Sequence, residues 1–187
     1  MPYKNIAIGF IFVIAVSVAA VLTLSYSPGT TKQTKTAEYP DAFMENVSAL
    51  ILNKEGKVYM KIETPKMIHF KNGDMTDFID PQLTLYHRSP QPWFIQSKFA
   101  KANQGIENVL FREDVTIHHP ADLNNPATVI KTKTLTVHPN SQTAETKDLI
   151  TMVQPNSTIK AVGMFADMNS GNIKLLSQAQ GEYVPDS

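Results

Sequence analysis

Asp80, Asp114 and Asp148 lie 34 residues apart, and each heads an alternating apolar run: "DPQLTLY", "DVTIHH" and "DLITMV". Within each run apolar residues recur at every second position. That is the period of a strand with one covered face and not the 3.6-residue period of a helix. A long repeat whose local period is two predicts strand units laid side by side, because no single unit can cover its own apolar row. A fourth partial unit, "FADMNSGNIKLL" leading into "GEYV", places Glu182 another 34 residues on. The expectation is an all-β domain: an elongated, coiled stack of antiparallel strands with an open sheet edge at each end.

The rest of the chain beyond Ala42 agrees. Short alternating runs ("VSALIL", "KVYMKIET", "MIHF", "PWFIQSKFA", "NVLF", "TVIKT", "TLTVHP", "STIKAVGMF") are separated by turn residues, among them Lys54-Glu55-Gly56, Asn72-Gly73 and Asn140-Ser141. Asp80, Asp114 and Asp148 read as turn chemistry, their side chains bonding backbone N–H groups, rather than as a carboxylate cluster. His118 and His119 are adjacent in a strand and point to opposite faces, no His pair has the spacing of a zinc helix, and there is no cysteine. No nucleotide-binding, nucleophile-elbow or metalloprotease motif occurs, so neither an enzyme nor a cofactor is expected. With 17 basic and 17 acidic residues the net charge is zero, which removes the electrostatic footprint of a nucleic-acid binder.

The amino-terminal end has different physics. Ile6 to Leu24 ("IAIGFIFVIAVSVAAVLTL") holds no charge and no proline, and twelve of its residues are Ile, Leu, Phe or Val. Nineteen residues at about 1.5 Å each span the hydrocarbon of a bilayer, roughly 28 Å. The run exceeds a signal-peptide core and lacks a small-x-small site after it, which predicts an uncleaved transmembrane helix over 6–24. The polar, aperiodic stretch "SYSPGTTKQTKTAEYPD" (25–41) reads as a tether. Residues 42–187 are long enough for one domain with its own core.

On the strand positions, Val47, Ile62, Phe78, Leu83, Leu85, Ile95, Val115, Ile117, Leu135, Val137, Ile159, Ile173 and Tyr183 can share one interior face. Composition alone favours a dry core, as in a membrane-anchored scaffold that recruits envelope partners through its sheet edges without carrying lipid.

The order of segments adds information. The anchor and tether are followed by a glycine turn at Gly56, "IETPKM", "DFIDPQLTLY", Pro92-Trp93 opening a strand toward "SKFAKAN", then "DVTIH", "TKTLTVHPNSQTA" and "MNSGNIKLLSQAQGEY". In this order the chain resembles the LptC family, the bitopic inner-membrane component of the lipopolysaccharide export bridge. The resemblance implies a twisted antiparallel β-jellyroll of the LptA-like type, standing in the periplasm, with an apolar groove. It implies a short cytoplasmic segment at 1–5 and a single pass through the inner membrane. It further implies that lipopolysaccharide, by its lipid A acyl chains, passes from the transporter formed by LptB, LptF and LptG to LptA. The transporter would be met through the helix and the amino-terminal jellyroll edge, and LptA at the carboxy-terminal edge. Carried over by position, Val47, Phe78, Ile173 and Tyr183 would line the groove, with Gly56 and Gly163 needed for their backbone.

Overall fold

The computed structural model describes residues 39–184 except 72, 87–90, 104 and 124; the expected membrane helix (6–24) and nearly all of the tether lie outside the described residues. In chain order the strands are β1 (Ala42–Leu52), β2 (Val58–Phe70), β3 (Met75–Ile79), β4 (Gln82–Leu85), β5 (Trp93–Gln96), β6 (Phe99–Asn103), β7 (Asn108–His119), β8 (Thr128–His138), β9 (Thr143–Gln154), β10 (Ser157–Asp167) and β11 (Asn172–Tyr183). All pairings are antiparallel within one eleven-stranded sheet. β3 and β4 both pair with β2, while β4 pairs with β5 and β3 with β6. β3–β4 and β5–β6 are therefore two halves of single lines, and the chain is a plain meander from edge strand β1 to edge strand β11. The fold class is thus all-β, as the alternation predicts.

A row of backbone irregularities crosses this meander. Left-handed backbone occurs at Asn46 in β1, Asp80 between β3 and β4, Glu113 and Asp114 in β7, Gly163 in β10 and Gln178 in β11. Register shifts fall on the same line, between Arg112 and Val115, between Thr132 and Thr136, and between Val162 and Met164. Each is a bulge: surplus residues leave the ladder and the strand bends. Lined up across neighbouring strands, the bulges fold the sheet into two facing arms. The first arm holds residues such as 58–63, 82–85, 115–119 and 150–154. The second holds 66–70, 75–79, 99–103 and 143–146.

This bend corrects two expectations. Asp114 and Asp148 do not open strands; they lie inside β7 and β9, on the bend. The 34-residue interval is the path from the bend out along one strand and back along the next. Glu182 is not a fourth equivalent, for it lies near the end of β11, where the bend residue is Gln178. The side-chain bonds to backbone N–H groups expected of these aspartates do not occur among the described hydrogen bonds; what they bring to the bend is backbone conformation and contacts with other side chains. Asp80 and Asp114 are left-handed, and Asp148 takes a 3.1 Å bond from its own N–H to the Thr146 hydroxyl and a 2.6 Å bond from Thr134.

Bulging leaves carbonyls off the ladder, and buried hydroxyls answer them. The Thr64 hydroxyl lies 2.9 Å from the Lys66 carbonyl and 2.6 Å from that of Ile79, donating to one or the other. Thr132 donates to the Leu149 carbonyl at 3.1 Å and Ser97 to the Phe99 carbonyl at 2.7 Å. Thr64, Ser97, Thr132 and Thr146 are all buried. On the outer side of the bend the Lys98 ammonium meets Asp114 at 2.6 Å, and that carboxylate raises the lysine's pKa.

Both glycines singled out from sequence are left-handed, Gly56 at φ 76° and Gly163 at φ 77°. A Cβ on Gly56 would meet nothing within 4 Å, whereas one on Gly163 would fall 2.9 Å from Leu176 Cδ1. Gly56→Ala should therefore cost only the backbone strain, about 1 kcal/mol. Gly163→Ala should cost more, and the added Leu176→Ala should recover the excess, in denaturant melts of the β-domain. Thr64→Val should lower stability by about 1–3 kcal/mol, since a buried carbonyl loses its donor.

Candidate functional site

Register determines what the arms enclose. Ala49 pairs with Ile62, Ile62 with Leu83, Leu83 with Ile95, and Ile95 with Ile117. Ile117 pairs with Ile130, Ile130 with Met152, Met152 with Ile159, and Ile159 with Gly181. One unbroken apolar ladder thus runs at right angles to the strands, across the inner face of the first arm from β1 to β11. Opposite it, the second arm carries Met67, Phe78, Ala100, Phe111 and Leu135 in paired succession. Beyond these come Val137, Ala144, Ala166 and Ile173, again paired one to the next. Cross-strand apolar pairs are the stabilising unit of a sheet, and here they are also a continuous track.

Enclosure varies along the track. Phe78, Leu83, Leu85, Val115, Ile117 and Val137 are buried, as is Ile62, in one cluster drawn from both arms. Toward the edges the cover thins: Val47, Ile159 and Ile173 are half-buried. On the inner face of edge strand β1, Met44, opposite Met67, is 49% exposed. Tyr183 is set apart from the buried group. It lies opposite Ser157, on the same face as Ile159, but at the far end of β11 and 69% exposed.

Alternation found most of these residues. It missed the small ones opposite the ladder, Ala100, Ala102, Ala144 and Ala166, all buried, because alanine is neutral in a period count. It also missed the buried threonines of the bend and the half-buried Ala49 of β1.

At their free ends the arms touch through side chains. Gln142 donates to the Tyr86 carbonyl at 3.3 Å, and Asn125 from the β7–β8 loop faces Gly171 of the β10–β11 turn. That turn is held by Asp167, which accepts the Asn169 N–H at 2.9 Å and that of Ser170 at 3.3 Å. These donors keep the Asp167 carboxyl below its ordinary pKa. A slot of about 220 Å³ lies between the ends, lined by Trp93, His119, Asn125, Thr128, Met152, Gln154 and Ile173 among others. A larger concavity of about 540 Å³ belongs mainly to the other face of the first arm, where Thr84, Phe94, Thr116 and His118 stand between the ladder positions. Leu83 and Ile95 of the ladder contribute to its lining, but most of the residues around it belong to that outer row.

The described histidines have local partners. His69 bonds Thr76 at 3.2 Å, His118 stacks on Phe94, His119 packs on Trp93 with ring centroids 4.5 Å apart, and His138 bonds Asn108. His87 lies outside the described residues. The interior is a continuous apolar row, closed in its middle and thinly covered toward both sheet edges.

Fold and interior together define an antiparallel β-jellyroll with an apolar interior. Among solved structures the chain is similar to LptH, the LptA homologous periplasmic component of the lipopolysaccharide transport device of Pseudomonas aeruginosa. The TM-score is 0.53 at 8% identity, over 67% of this chain and 95% of that one. At that identity the likeness concerns fold alone. The family of lipopolysaccharide-assembly, LptC-related proteins matches residues 9–184, and the chain belongs to it. No curated protein matches the chain. The protein is a component of lipopolysaccharide transport, with an LptA-like β-domain.

The gradient of enclosure has a measurable consequence. Truncating the closed middle of the track, Ile117→Ala or Ile130→Ala, should cost about 2–5 kcal/mol. Ile159→Ala and Ile173→Ala, near the open edges, should cost roughly 1 kcal/mol or less, because little cover is lost there. Denaturant melts of the four variants would compare them directly.

Proposed function

We propose that the apolar ladder is the path by which lipopolysaccharide crosses this protein, its acyl chains lying between the two arms. The observation that carries the reading is the ladder itself, in register across the sheet, closed in the middle and thinly covered at β1 and β11. A closed core needs no such continuity out to both sheet edges. Burying a methylene is worth about 0.8 kcal/mol, so several fully enclosed acyl chains would be held too tightly to pass on. A groove that opens along one side lets contacts be exchanged a few at a time.

In this reading residues 1–5 are cytoplasmic, 6–24 cross the inner membrane once, 25–41 tether the domain and 42–187 form the periplasmic jellyroll. Edge β1 receives lipid from the LptB, LptF and LptG transporter, and edge β11 hands it to LptA. Unpaired N–H and C=O groups along both edge strands support pairing of sheets end to end. The membrane helix keeps the receiving edge at high effective concentration beside its donor. Val47 stands at the entrance, with Ile62, Phe78, Leu83, Leu85, Val115, Ile117 and Val137 along the walls. Ile159, Ile173 and Tyr183 stand at the exit.

A photo-crosslinking residue in place of Phe78 or Ile173 should capture lipopolysaccharide in cells whose transporter is active. One at Lys131, beside Ile130 but pointing outward, should not. Capture from Lys131 alone would place the lipid outside the arms and end the reading.

A further inference from the structure

A second ladder runs parallel to the first, one step nearer the free ends of the arm. Ile51 pairs with Met60, Met60 with Leu85, and Leu85 with Trp93. The pairing of Phe94 with His118 puts Trp93 opposite His119, and His119 pairs with Thr128. The pairing of Val129 with Val153 sets Thr128 opposite Gln154; Gln154 pairs with Ser157, and Ser157 with Tyr183. This rim ladder is apolar from Ile51 to Trp93 and polar from His119 to Ser157. The inner ladder beside it stays apolar throughout. An amphiphile with chains on Ile117, Ile130 and Met152 would set its head against the polar half of the rim.

One atom there lacks a partner. Trp93 is 3% exposed, and its Nε1–H is buried without an acceptor. Among the described residues the other such side-chain atom, Asp77 Oδ1, has the Lys101 ammonium 3.3 Å away. A buried indole N–H is a donor only and normally finds an acceptor. The neighbouring polar groups are already engaged with each other. Gln154 donates to Thr128 at 3.1 Å, Thr128 to the Pro126 carbonyl at 3.0 Å, and Asn125 to Asp122 at 2.8 Å through its backbone. Trp93 lines the 220 Å³ slot with these groups, and because its Nε1 is itself covered, an oxygen would meet this unsatisfied donor only as the arms part.

We infer that this slot is a headgroup subsite in which Trp93 donates to the carbonyl of an amide- or ester-linked acyl chain. The inference rests on the carriage reading above and adds to it the atom that fixes the head. A neutral carbonyl is favoured over a phosphate. Among the described residues the slot's lining holds no lysine or arginine to bind an anion, and the one histidine in it, His119, already has the Asp122 carboxylate of the β7–β8 loop 3.8 Å from its Nε2. A carbonyl also sits where this row needs it, at the junction of a polar head and an apolar chain.

Trp93 is the sole tryptophan of the chain, so its fluorescence reports on this slot alone. The test uses the full chain in dodecyl maltoside micelles, which carry no carbonyl, with N-octanoylglucosamine as probe and octyl glucoside, which has none either, as control. Saturable change of Trp93 emission is expected with the first probe and not with the second. Trp93→Phe should weaken N-octanoylglucosamine about five- to tenfold, the loss of one buried hydrogen bond. Octyl glucoside, measured by calorimetry, should change less than twofold. Equal emission changes with both probes would overturn the assignment, as would no change with either, which leaves the donor to a water. Unaltered affinity in Trp93→Phe would overturn it too. The emission comparison needs no variant, so it stands if Trp93→Phe fails to fold. Lipid capture at Phe78 separates the levels. If it persists while the probes fail, only the subsite is lost; if it fails too, the carriage reading goes with it.

Discussion

Register across the bend is the constraint on which the rest of this structure depends. A strand shifted by one residue turns its whole apolar set to the opposite face. Nine successive partners, from Ala49 to Gly181, stay on one inner face only because the surplus residues of the long strands are absorbed in one line. Beyond that line the inward parity changes in some strands. In β8 the buried positions are Thr128, Ile130 and Thr132 before the bend and Leu135 and Val137 after it. In β9 they are Ala144 and Thr146, then Ile150 and Met152, so parity is kept and more residues are left out. The bend thus lets strands of different phase present continuous apolar rows on both arms. Its cost is left-handed backbone at Glu113 and Gln178, residues that seldom adopt it. Buried hydroxyls at Thr64, Ser97 and Thr132 limit the further cost of carbonyls left off the ladder.

The same bend explains how much could be read from the sequence. Period two gave the all-β class, the two open edges and most of the interior residues, because burial on one face is what period two encodes. It failed where the bend interrupts the count. "NVLF" and "DVTIHH" look like two strands but are the halves of β7, and "TVIKT" and "TLTVHP" are the halves of β8. "PWFIQSKFA" looks like one strand and is two, β5 and β6, because Ser97 and Lys98 leave the ladder there. The equal spacing of Asp80, Asp114 and Asp148 was a true signal of the bend. It was read as the start of strands because asparagine and aspartate favour left-handed backbone in turns and bulges alike. Glu113 and Gln178 carry no comparable signal. The rim's change from apolar to polar was not legible at all, since it appears only when residues far apart in sequence are aligned by register.

Side-chain size adds to what the ladder implies. The first arm presents Ile, Leu and Met along its inner row, while the second faces it with Ala100, Ala102, Ala144 and Ala166 among larger residues. Large against small is how a dry interior interdigitates at native density. It is also how a wall leaves room for a chain once the arms part. The terminal rungs are small, Ala49 at one edge and Gly181 at the other, so the track narrows in side-chain bulk where a neighbouring sheet would continue it.

The distribution of bonds between the two sides of the interior gives the parting a direction. On the bend side the arms are joined by the backbone of every strand that crosses it, together with the hydroxyl bonds of Thr64 and Thr132. Separating them there would break the sheet. On the free side the contacts described are a single 3.3 Å bond from Gln142 to the Tyr86 carbonyl and the packing of Asn125 on Gly171. Such contacts are worth on the order of 1 kcal/mol each against water, and parting the arms would in addition expose apolar side chains of the cluster that both arms share. If acyl chains pass between the arms as proposed, parting at the free ends would break fewer hydrogen bonds than parting at the bend. That is the side on which the rim ladder turns polar. Parting there would uncover the polar half of the rim before the inner apolar ladder, which lies nearer the bend.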